Sequence, residues 1–221
     1  MTFAAAYEAP PLVWGVGRVV VGDTVVPWSV SEADIDDETE IASAFLRDLG
    51  LREGELVLLV SFLSQTIHVA PFERAAGVVG ALYSSSDASR FDAFRTASLV
   101  RQLRPSVIIG VDDAVLDGLE DLDRDPAEVF APVRSVVASG DGAQARLVAA
   151  GVEAGLWLRL GALSAVAFPG ESELRYDQTR WQVDDAGGEL LVTNLADRLT
   201  PSNRFRTGIR GAVTAPGRIT L

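Results

Sequence analysis

The sequence contains no cysteine and no lysine, and each absence excludes a class of chemistry. Without cysteine there is no thiol nucleophile, no disulfide and no thiolate metal site. All 19 basic residues are arginine. Because a guanidinium group cannot replace a reactive amine, Schiff-base catalysis and a phosphate-loop lysine are both excluded.

Histidine is nearly absent as well, since His68 is the only one. A Ser–His–Asp triad would have to use it. Ser61 and Ser64 lie nearby in the sequence, but neither sits in the Gly-x-Ser-x-Gly turn that exposes a hydrolase nucleophile. The sequence therefore offers little support for a hydrolase.

Positive charge is scarce relative to negative charge, with a net charge of −12 and a pI of about 4.5. Nucleic acids and anionic membranes are bound mainly through Lys and Arg, so neither is a predicted partner. The apolar runs, such as residues 56–63, are far shorter than the roughly 20 residues of a membrane helix. The first residues also lack the basic and apolar segments of a signal peptide. These features predict a cytoplasmic protein.

Residues 1–150 alternate between segments typical of strands and segments typical of helices. Arg18–Val26 is predicted to form a hairpin around Gly22-Asp23. Ser29 and Glu32 have capping-box spacing and predict the start of a helix that runs to about Leu49. Strands are predicted at 56–61, 81–84, 107–111 and 134–138, and helices at 65–80, 91–103, 113–122 and up to 149. This alternation predicts crossover connections and a mostly parallel sheet flanked by helices.

After Gly151 the pattern changes to short strands separated by Gly, Pro and Asp turns. Residues 184–188 have the composition of a hairpin turn. The predicted fold is thus α/β, with a core over residues 1–150 that includes the N-terminal hairpin. A smaller β-rich portion over residues 151–221 is expected to pack on that core as one globular unit.

Two motifs near the C-terminus resemble those of the adenylate-forming superfamily of AMP-dependent acyl-CoA synthetases. Gly188-Glu189-Leu190 is similar to the family's GELV segment, and Arg204-Phe205-Arg206-Thr207-Gly208 is similar to its RYRTGD segment. The pairing is most similar to that of phenylacetate-CoA ligases. Other segments resemble the family in the same order, namely 18–34, 49–64, 133–142 and 156–165. The resemblance implies part of the N-terminal domain of these enzymes.

Several residues that the family needs for adenylation are replaced. No Ser or Thr occurs between Val13 and Val21, where the resemblance implies a phosphate loop. Aligning the family's aromatic–Gly–x–Thr–Glu motif on Gly161 puts Ser164 at the glutamate that helps to hold Mg–ATP. Ile209 stands at the ribose-binding aspartate. The sequence also ends before the family's C-terminal catalytic domain. These departures predict a degenerate ligase with no catalytic residues, no cofactor and no metal site.

The resemblance still implies a candidate ligand cleft, and a turn before a helix can bind an anion through backbone amides. The candidate residues are His68, Ser139, Gly140, Asp141, Gly142, Gly161, Ser164 and Arg206. Three functions stay open: a non-catalytic pseudoenzyme that acts through protein association, a module that binds acyl groups or CoA, and an active ligase. The predicted partners are a second copy of the chain, a partner enzyme or a carrier protein, and acyl-CoA or CoA.

Overall fold

A computed structural model of the chain describes residues 2–3 and 12–221. The helices are α1 (Glu32–Asp48), α2 (Thr66–Val79), α3 (Ala93–Leu103), α4 (Asp113–Asp121), α5 (Pro126–Phe130) and α6 (Asp141–Ala149). The strands of the first two thirds are β1 (Thr2–Phe3), β2 (Gly15–Val21), β3 (Thr24–Val30), β4 (Leu56–Val60), β5 (Leu82–Ser86), β6 (Val107–Val111) and β7 (Ser135–Ser139). The later strands are β8 (Ala154–Leu160), β9 (Leu163–Ala167), β10 (Leu174–Arg175), β11 (Trp181–Ala186), β12 (Glu189–Asn194), β13 (Phe205–Arg210), β14 (Ala212–Ala215) and β15 (Arg218–Thr220).

The central layer is a nine-stranded sheet with the order β14-β15-β10-β9-β8-β7-β6-β4-β5. Strands β5, β4, β6, β7 and β8 run parallel to one another, and the strands from β9 outward are antiparallel. The predicted α/β fold, with a mostly parallel sheet followed by a smaller β portion, is confirmed. The strands that follow Gly151 divide between this sheet and a separate antiparallel sheet, β11-β12-β13. The division of the chain at residue 150 stays a prediction.

The inner strands β4, β6 and β7 are buried on both faces of the large sheet. Successive side chains of a strand point in opposite directions, so each of these strands contributes to two hydrophobic clusters. Val57 and Leu59 on β4 belong to the cluster that packs against α1 and α2. Leu58 and Val60 belong to the cluster that packs against α3 to α6. Buried strands of this kind are continuously apolar rather than alternating, which is the pattern of residues 56–60. No helix of the described residues has the length and apolarity needed to cross a membrane.

The N-terminal end of α1 differs from the prediction by two residues. The capping residue is Ser31, whose hydroxyl accepts a hydrogen bond from Asp34 N at 3.1 Å. Asp34 Oδ2 accepts in return from Ser31 N at 2.7 Å. Ser29 lies in β3, because the strand continues through Pro27 and Trp28 instead of ending before them. Ser31 and Asp34 have the same spacing as Ser29 and Glu32, so the capping box is formed two residues later than predicted.

The hairpin turn predicted near residue 187 is present but shorter than expected. Strand β11 extends to Ala186, which pairs with Glu189 at the start of β12. Only Gly187 and Gly188 form the connection, and their φ angles are +63° and +79°. A two-residue hairpin turn with two positive φ angles strongly favours glycine. The two glycines therefore fix the register of this hairpin.

Candidate functional site

The parallel strands end along one edge of the large sheet, and this edge is the candidate site. Ser61 follows β4, Asp112 follows β6 and Gly140 follows β7, while Arg159 lies near the end of β8. Ligand sites of open α/β sheets form at the carboxyl ends of the strands. A cavity of about 140 Å³ opens between the ends of β4 and β5, with Ser61 in its lining. It is smaller than the roughly 300–1,000 Å³ of pockets that hold drug-sized ligands.

Arg159 is the most unusual residue of this edge. Its guanidinium carbon lies 5.0 Å from the centroid of the Trp157 ring. The guanidinium group forms no ion pair or hydrogen bond with any residue that the structure describes. Burial lowers the pKa of Arg159, and the nearby cation Arg18 lowers it further, while Asp112 opposes both effects. A half-buried guanidinium without an acceptor, close to a second one, favours an anion.

Asp112 is the carboxylate whose charge acts on Arg159 at this edge, and its side chain also has a structural role. It caps α4, with Oδ1 accepting a hydrogen bond from Val115 N at 3.0 Å. Burial raises the pKa of Asp112, although the cap and the charge of Arg159 oppose this. Because a capping carboxylate is held in place by the helix, Asp112 attracts Arg159 from a distance without neutralising it through a direct ion pair.

His68 lies on α2 and is almost completely buried, with 4% of its surface exposed. Its ring contacts the edge of Trp157 at a centroid distance of 6.4 Å. The Nδ1 atom has no hydrogen-bond partner among the described residues. Burial, and to a smaller extent the positive charge of Arg159, lower the pKa of His68 to about 3. His68 is therefore a neutral imidazole beside the arginine at neutral pH.

We expect His68 to remain neutral in the folded protein until the pH falls to about 3. An unfolded chain protonates histidine near pH 6.5. The unfolded state therefore binds the proton first, and the native state loses stability as the pH falls from about 6.5 toward about 3. A single histidine makes the imidazole NMR signals unambiguous, so their shift against pH measures this directly. Arg159→Gln should raise the pKa. Titration of His68 near 6.5 in the folded chain would contradict the buried placement.

Ser164 and Gly161 have structural neighbours that the sequence did not indicate. Ser164 Oγ accepts a hydrogen bond from Trp157 Nε1 at 3.2 Å. A Cβ atom on Gly161 would lie 3.3 Å from the Phe205 ring. Phe205 in turn contacts Trp28 edge-to-face, with ring centroids 5.1 Å apart. The turn between β8 and β9 is therefore covered by aromatic side chains from the N-terminal hairpin and from β13.

The turn Ser139–Gly142 leads from β7 into α6, as predicted, but carboxylates already surround it. Asp141 Oδ1 accepts a hydrogen bond from Gly142 N at 3.0 Å. A Cβ atom on Gly142 would lie 2.9 Å from Asp113 Oδ2. Arg146 holds the Asp113 carboxylate at 3.1 Å. Since two aspartates flank the helix start, its backbone amides are a poorer anion site than the sequence suggested.

Arg206 lies apart from the other candidates. It is on β13, its side chain is 75% exposed, and it forms an ion pair with Glu189 on β12. The Arg206 side chain is the main cause of the lowered pKa of Glu189. The structure thus brings His68 and Ser164 together around Trp157 and leaves Arg206 at the surface of the second sheet.

Four residues of this edge were missed in the sequence: Arg18, Asp112, Trp157 and Arg159. A signal for one of them was available, because Arg159 is the single charged residue in the apolar run 156–160. A charge in a buried strand needs a partner or a function. No group of three or more His, Asp or Glu side chains within residues 12–221 could hold a metal ion.

The fold is that of AMP-dependent acyl-CoA ligases. No protein-family model matches the sequence, and no curated protein matches it. Among solved structures, the chain is similar to 2-hydroxyisobutyryl-CoA ligase in complex with 2-HIB-AMP and CoA, at a TM-score of 0.72 and 14% identity. That match covers 96% of this chain and 57% of the ligase.

Two further structures with this fold are named with other acids or acid derivatives. The o-succinylbenzoate CoA synthetase of Bacillus subtilis matches at a TM-score of 0.65 and 12% identity, over 94% of this chain and 48% of that one. The N-terminal subdomain of Klebsiella oxytoca NpsA, in complex with 3-hydroxyanthranilyl-AMSN, matches at 0.65 and 13%, over 92% and 60%. The chain thus spans about half the length of the ligases it matches. At sequence identities this low, the structural similarity shows a shared fold and nothing more specific.

Proposed function

We propose that this chain is a non-adenylating protein with the acyl-CoA ligase fold, which acts by association with another protein. In this proposal it is a degenerate relative of the phenylacetate-CoA ligases and works in the cytoplasm, as its acidic, cysteine-free composition suggests. In this proposal the fold is retained, while the positions of the adenylation residues contribute to packing instead.

The observation that carries this proposal is the hydrogen bond from Trp157 Nε1 to Ser164 Oγ. Ser164 stands where the resemblance implies the glutamate that helps to hold Mg–ATP. A neutral hydroxyl that already accepts from a buried indole does not supply the carboxylate oxygens that Mg²⁺ prefers. Trp157 is 2% exposed and needs a partner for its N–H. The role of Ser164 is therefore to complete the core.

Two neighbouring positions support the same interpretation. Ile209, at the place of the ribose-binding aspartate, packs against the main hydrophobic cluster. Gly161 faces the aromatic pair Phe205 and Trp28. An isoleucine offers no acceptor to a ribose hydroxyl. The three positions thus contribute apolar packing or a core hydrogen bond, and we assign none of them to a nucleotide.

A second candidate function is the binding of an acyl-CoA or a related carboxylate without any reaction. It is favoured by Arg159, which has no acceptor among the described residues although Arg18 lies near enough to lower its pKa. A carboxylate or phosphate oxygen would accept hydrogen bonds from the Arg159 guanidinium and reduce its repulsion with Arg18. His68, whose Nδ1 has no hydrogen-bond partner among the described residues, lies near enough to Arg159 for that charge to lower its pKa.

A thermal-shift and turnover panel on the full chain tests the proposal. We expect no stabilisation by Mg–ATP, and no AMP or pyrophosphate from ATP with any acid, because the residues for holding the nucleotide are absent. A ligand present at about 100 times its Kd would stabilise the fold by about 2.7 kcal/mol, which is readily measured. Formation of pyrophosphate by the purified chain would overturn the proposal.

The same panel separates the two candidate functions when it includes CoA, acyl-CoAs and free aryl acids. Stabilisation by one of these compounds that is lost in Arg159→Gln and kept in Arg47→Gln would select the binding module. Arg47 is a suitable control because it is an exposed arginine in the last turn of α1, remote from this edge in the sheet. If none of these compounds stabilises the wild-type chain, the result would favour the function by protein association alone.

A further inference from the structure

A groove of about 520 Å³ lies between α3 and the segment from the end of α4 through α5. Its apolar lining comes from both of these elements. These residues are Phe94, Ala97, Leu122, Val129 and Pro132. The spacing of Phe94, Ala97 and Arg101 puts them on one face of α3. The groove therefore runs along a helix face that has no covering element among the described residues.

Large apolar side chains are exposed in and beside this groove. Phe94 is 62% exposed and Leu122 is 42% exposed. Phe91, one turn before Phe94, is 96% exposed. Single exposed apolar residues are ordinary, but contiguous ones with a groove beside them are typical of an interaction surface. Aromatic anchors of this kind contribute most of the energy in protein interfaces.

The groove also carries charges of both signs. Arg101, Arg104 and Arg124 line it, and none of the three forms an ion pair with another described residue. Asp125 and Glu128 line the same groove. The groove thus has three cations and two carboxylates, whereas the whole chain has a net charge of −12.

We infer that this groove, from here on the α3–α5 groove, is the contact surface through which two copies of this chain associate. The inference deepens the proposed function and rests on it, since it names the surface by which a non-catalytic chain would act. In a two-fold contact the same patch meets itself. The arginines of one copy then face Asp125 and Glu128 of the other, and each Phe94 enters the groove of its partner.

The charge distribution selects a second copy as the occupant. Two chains of net charge −12 repel each other over most of their surface. The α3–α5 groove carries both signs in nearly equal number among its five ionic residues, so the acidic repulsion is weaker on this face than over the rest of the chain. Its mixed signs are complementary to themselves, whereas a purely acidic partner would leave Asp125 and Glu128 facing like charge.

Sedimentation of the full chain over a wide concentration range tests the inference. We expect a monomer–dimer equilibrium in the wild type. In Phe94→Glu we expect association at least about tenfold weaker, because loss of a central aromatic anchor alone typically costs more than one factor of ten in affinity and the new carboxylate adds a desolvation cost. Leu63→Glu is the matched control. Leu63 is 89% exposed and lies in the short 3-10 turn before α2, outside the groove, so this variant should associate like the wild type.

A charge exchange tests the two-fold geometry itself. Arg124→Glu and Glu128→Arg should each weaken self-association, because each homodimer then places like charges together. Mixing the two variants should restore dimers that contain one copy of each, which a mass tag on one variant would reveal. All these positions are exposed, so folding is expected to be retained, and circular dichroism verifies it.

A wild-type chain that remains monomeric at every concentration would overturn the inference, as would a dimer that Phe94→Glu leaves intact. The outcome is independent of the ATP assay. A monomer that forms no pyrophosphate would refute the groove contact and leave the non-adenylating proposal standing, and a dimer that forms pyrophosphate would do the reverse.

Discussion

Replacement of Gly110 by alanine should destabilise the fold by about 4 kcal/mol or more, because it combines a steric conflict in the core with strain at a special backbone angle. Gly110 lies in β6, with φ at +99° and a register irregularity against β7. A Cβ atom there would lie 2.1 Å from Val60 O on the neighbouring strand. Neither the strand nor the carbonyl can move away, because both belong to the centre of the large sheet. Equilibrium urea unfolding, followed by tryptophan fluorescence, measures the loss.

Gly140→Ala is the control for the backbone angle alone. Gly140 has φ at +105°, close to that of Gly110, but nothing lies within 4 Å of its hypothetical Cβ. Its replacement should cost only the conformational strain of about 1–3 kcal/mol. The difference between the two variants isolates the clash with Val60 O. Equal losses would show that the φ angle, rather than the close approach of the strands, determines the requirement for glycine.

Arg198→Ala should destabilise the protein by about 3–5 kcal/mol at neutral pH, because it leaves a buried carboxylate without its cation. Arg198 Nη2 lies 2.8 Å from Glu38 Oε1, and their side chains are 5% and 10% exposed. The guanidinium also donates to Asp34 O at 3.2 Å and stacks 5.0 Å from the centroid of the Trp181 ring. This cluster joins α1 to the loop after β12, so its loss loosens the second sheet.

The same variant should show a pH dependence of known sign. Burial raises the pKa of Glu38, although Arg198 and a hydrogen bond from Trp181 act to lower it. Removing Arg198 raises that pKa further. A carboxyl group with a raised folded-state pKa favours the native state at low pH, and the benefit is lost as the pH rises through that pKa. The destabilisation by Arg198→Ala should therefore be smaller at mildly acidic pH than at neutral pH.

Two variants complete this experiment. Glu38→Gln in the Arg198→Ala background removes the uncompensated charge and should recover part of the stability at neutral pH. Arg206→Ala breaks an ion pair of similar chemistry in which the arginine is 75% exposed, and it should change the stability little because solvent screens exposed pairs. A loss that is the same at both pH values would show that Arg198 acts by packing on Trp181 and not by its charge.

The architecture was largely predictable because its signals are local. The apolar run that begins at Leu56 predicted a strand over 56–61, and β4 spans Leu56–Val60 in the interior of the sheet. The helix from Asp141 to Ala149 was predicted to its last residue. The short strands β10, β14 and β15 were missed, since two to four residues contain too little pattern to recognise.

The candidate site shows the limit of the same reasoning. The order of motifs along the chain indicated the fold, and the fold is confirmed by its similarity to solved ligases such as 2-hydroxyisobutyryl-CoA ligase, which is 14% identical. The sequence also pointed to His68 and to the turn at Ser139. It did not indicate that Asp113 lies against that turn, because Asp113 reaches it from a different crossover unit.

The sequence by itself determined the strand and helix order, the glycine turns and the absence of lysine and cysteine chemistry, because each of these depends on neighbouring residues or on composition. Only the tertiary structure decided that Arg159 stacks on Trp157 with no acceptor among the residues that the structure describes, that Arg18 lies near it, and that Ser164 is engaged by Trp157. These relations join residues from the hairpin, β8 and β9, and the hydrophobic pattern of each strand is compatible with many such pairings. Which charges meet is settled only when the sheet closes and the carboxyl ends of its strands come to one edge.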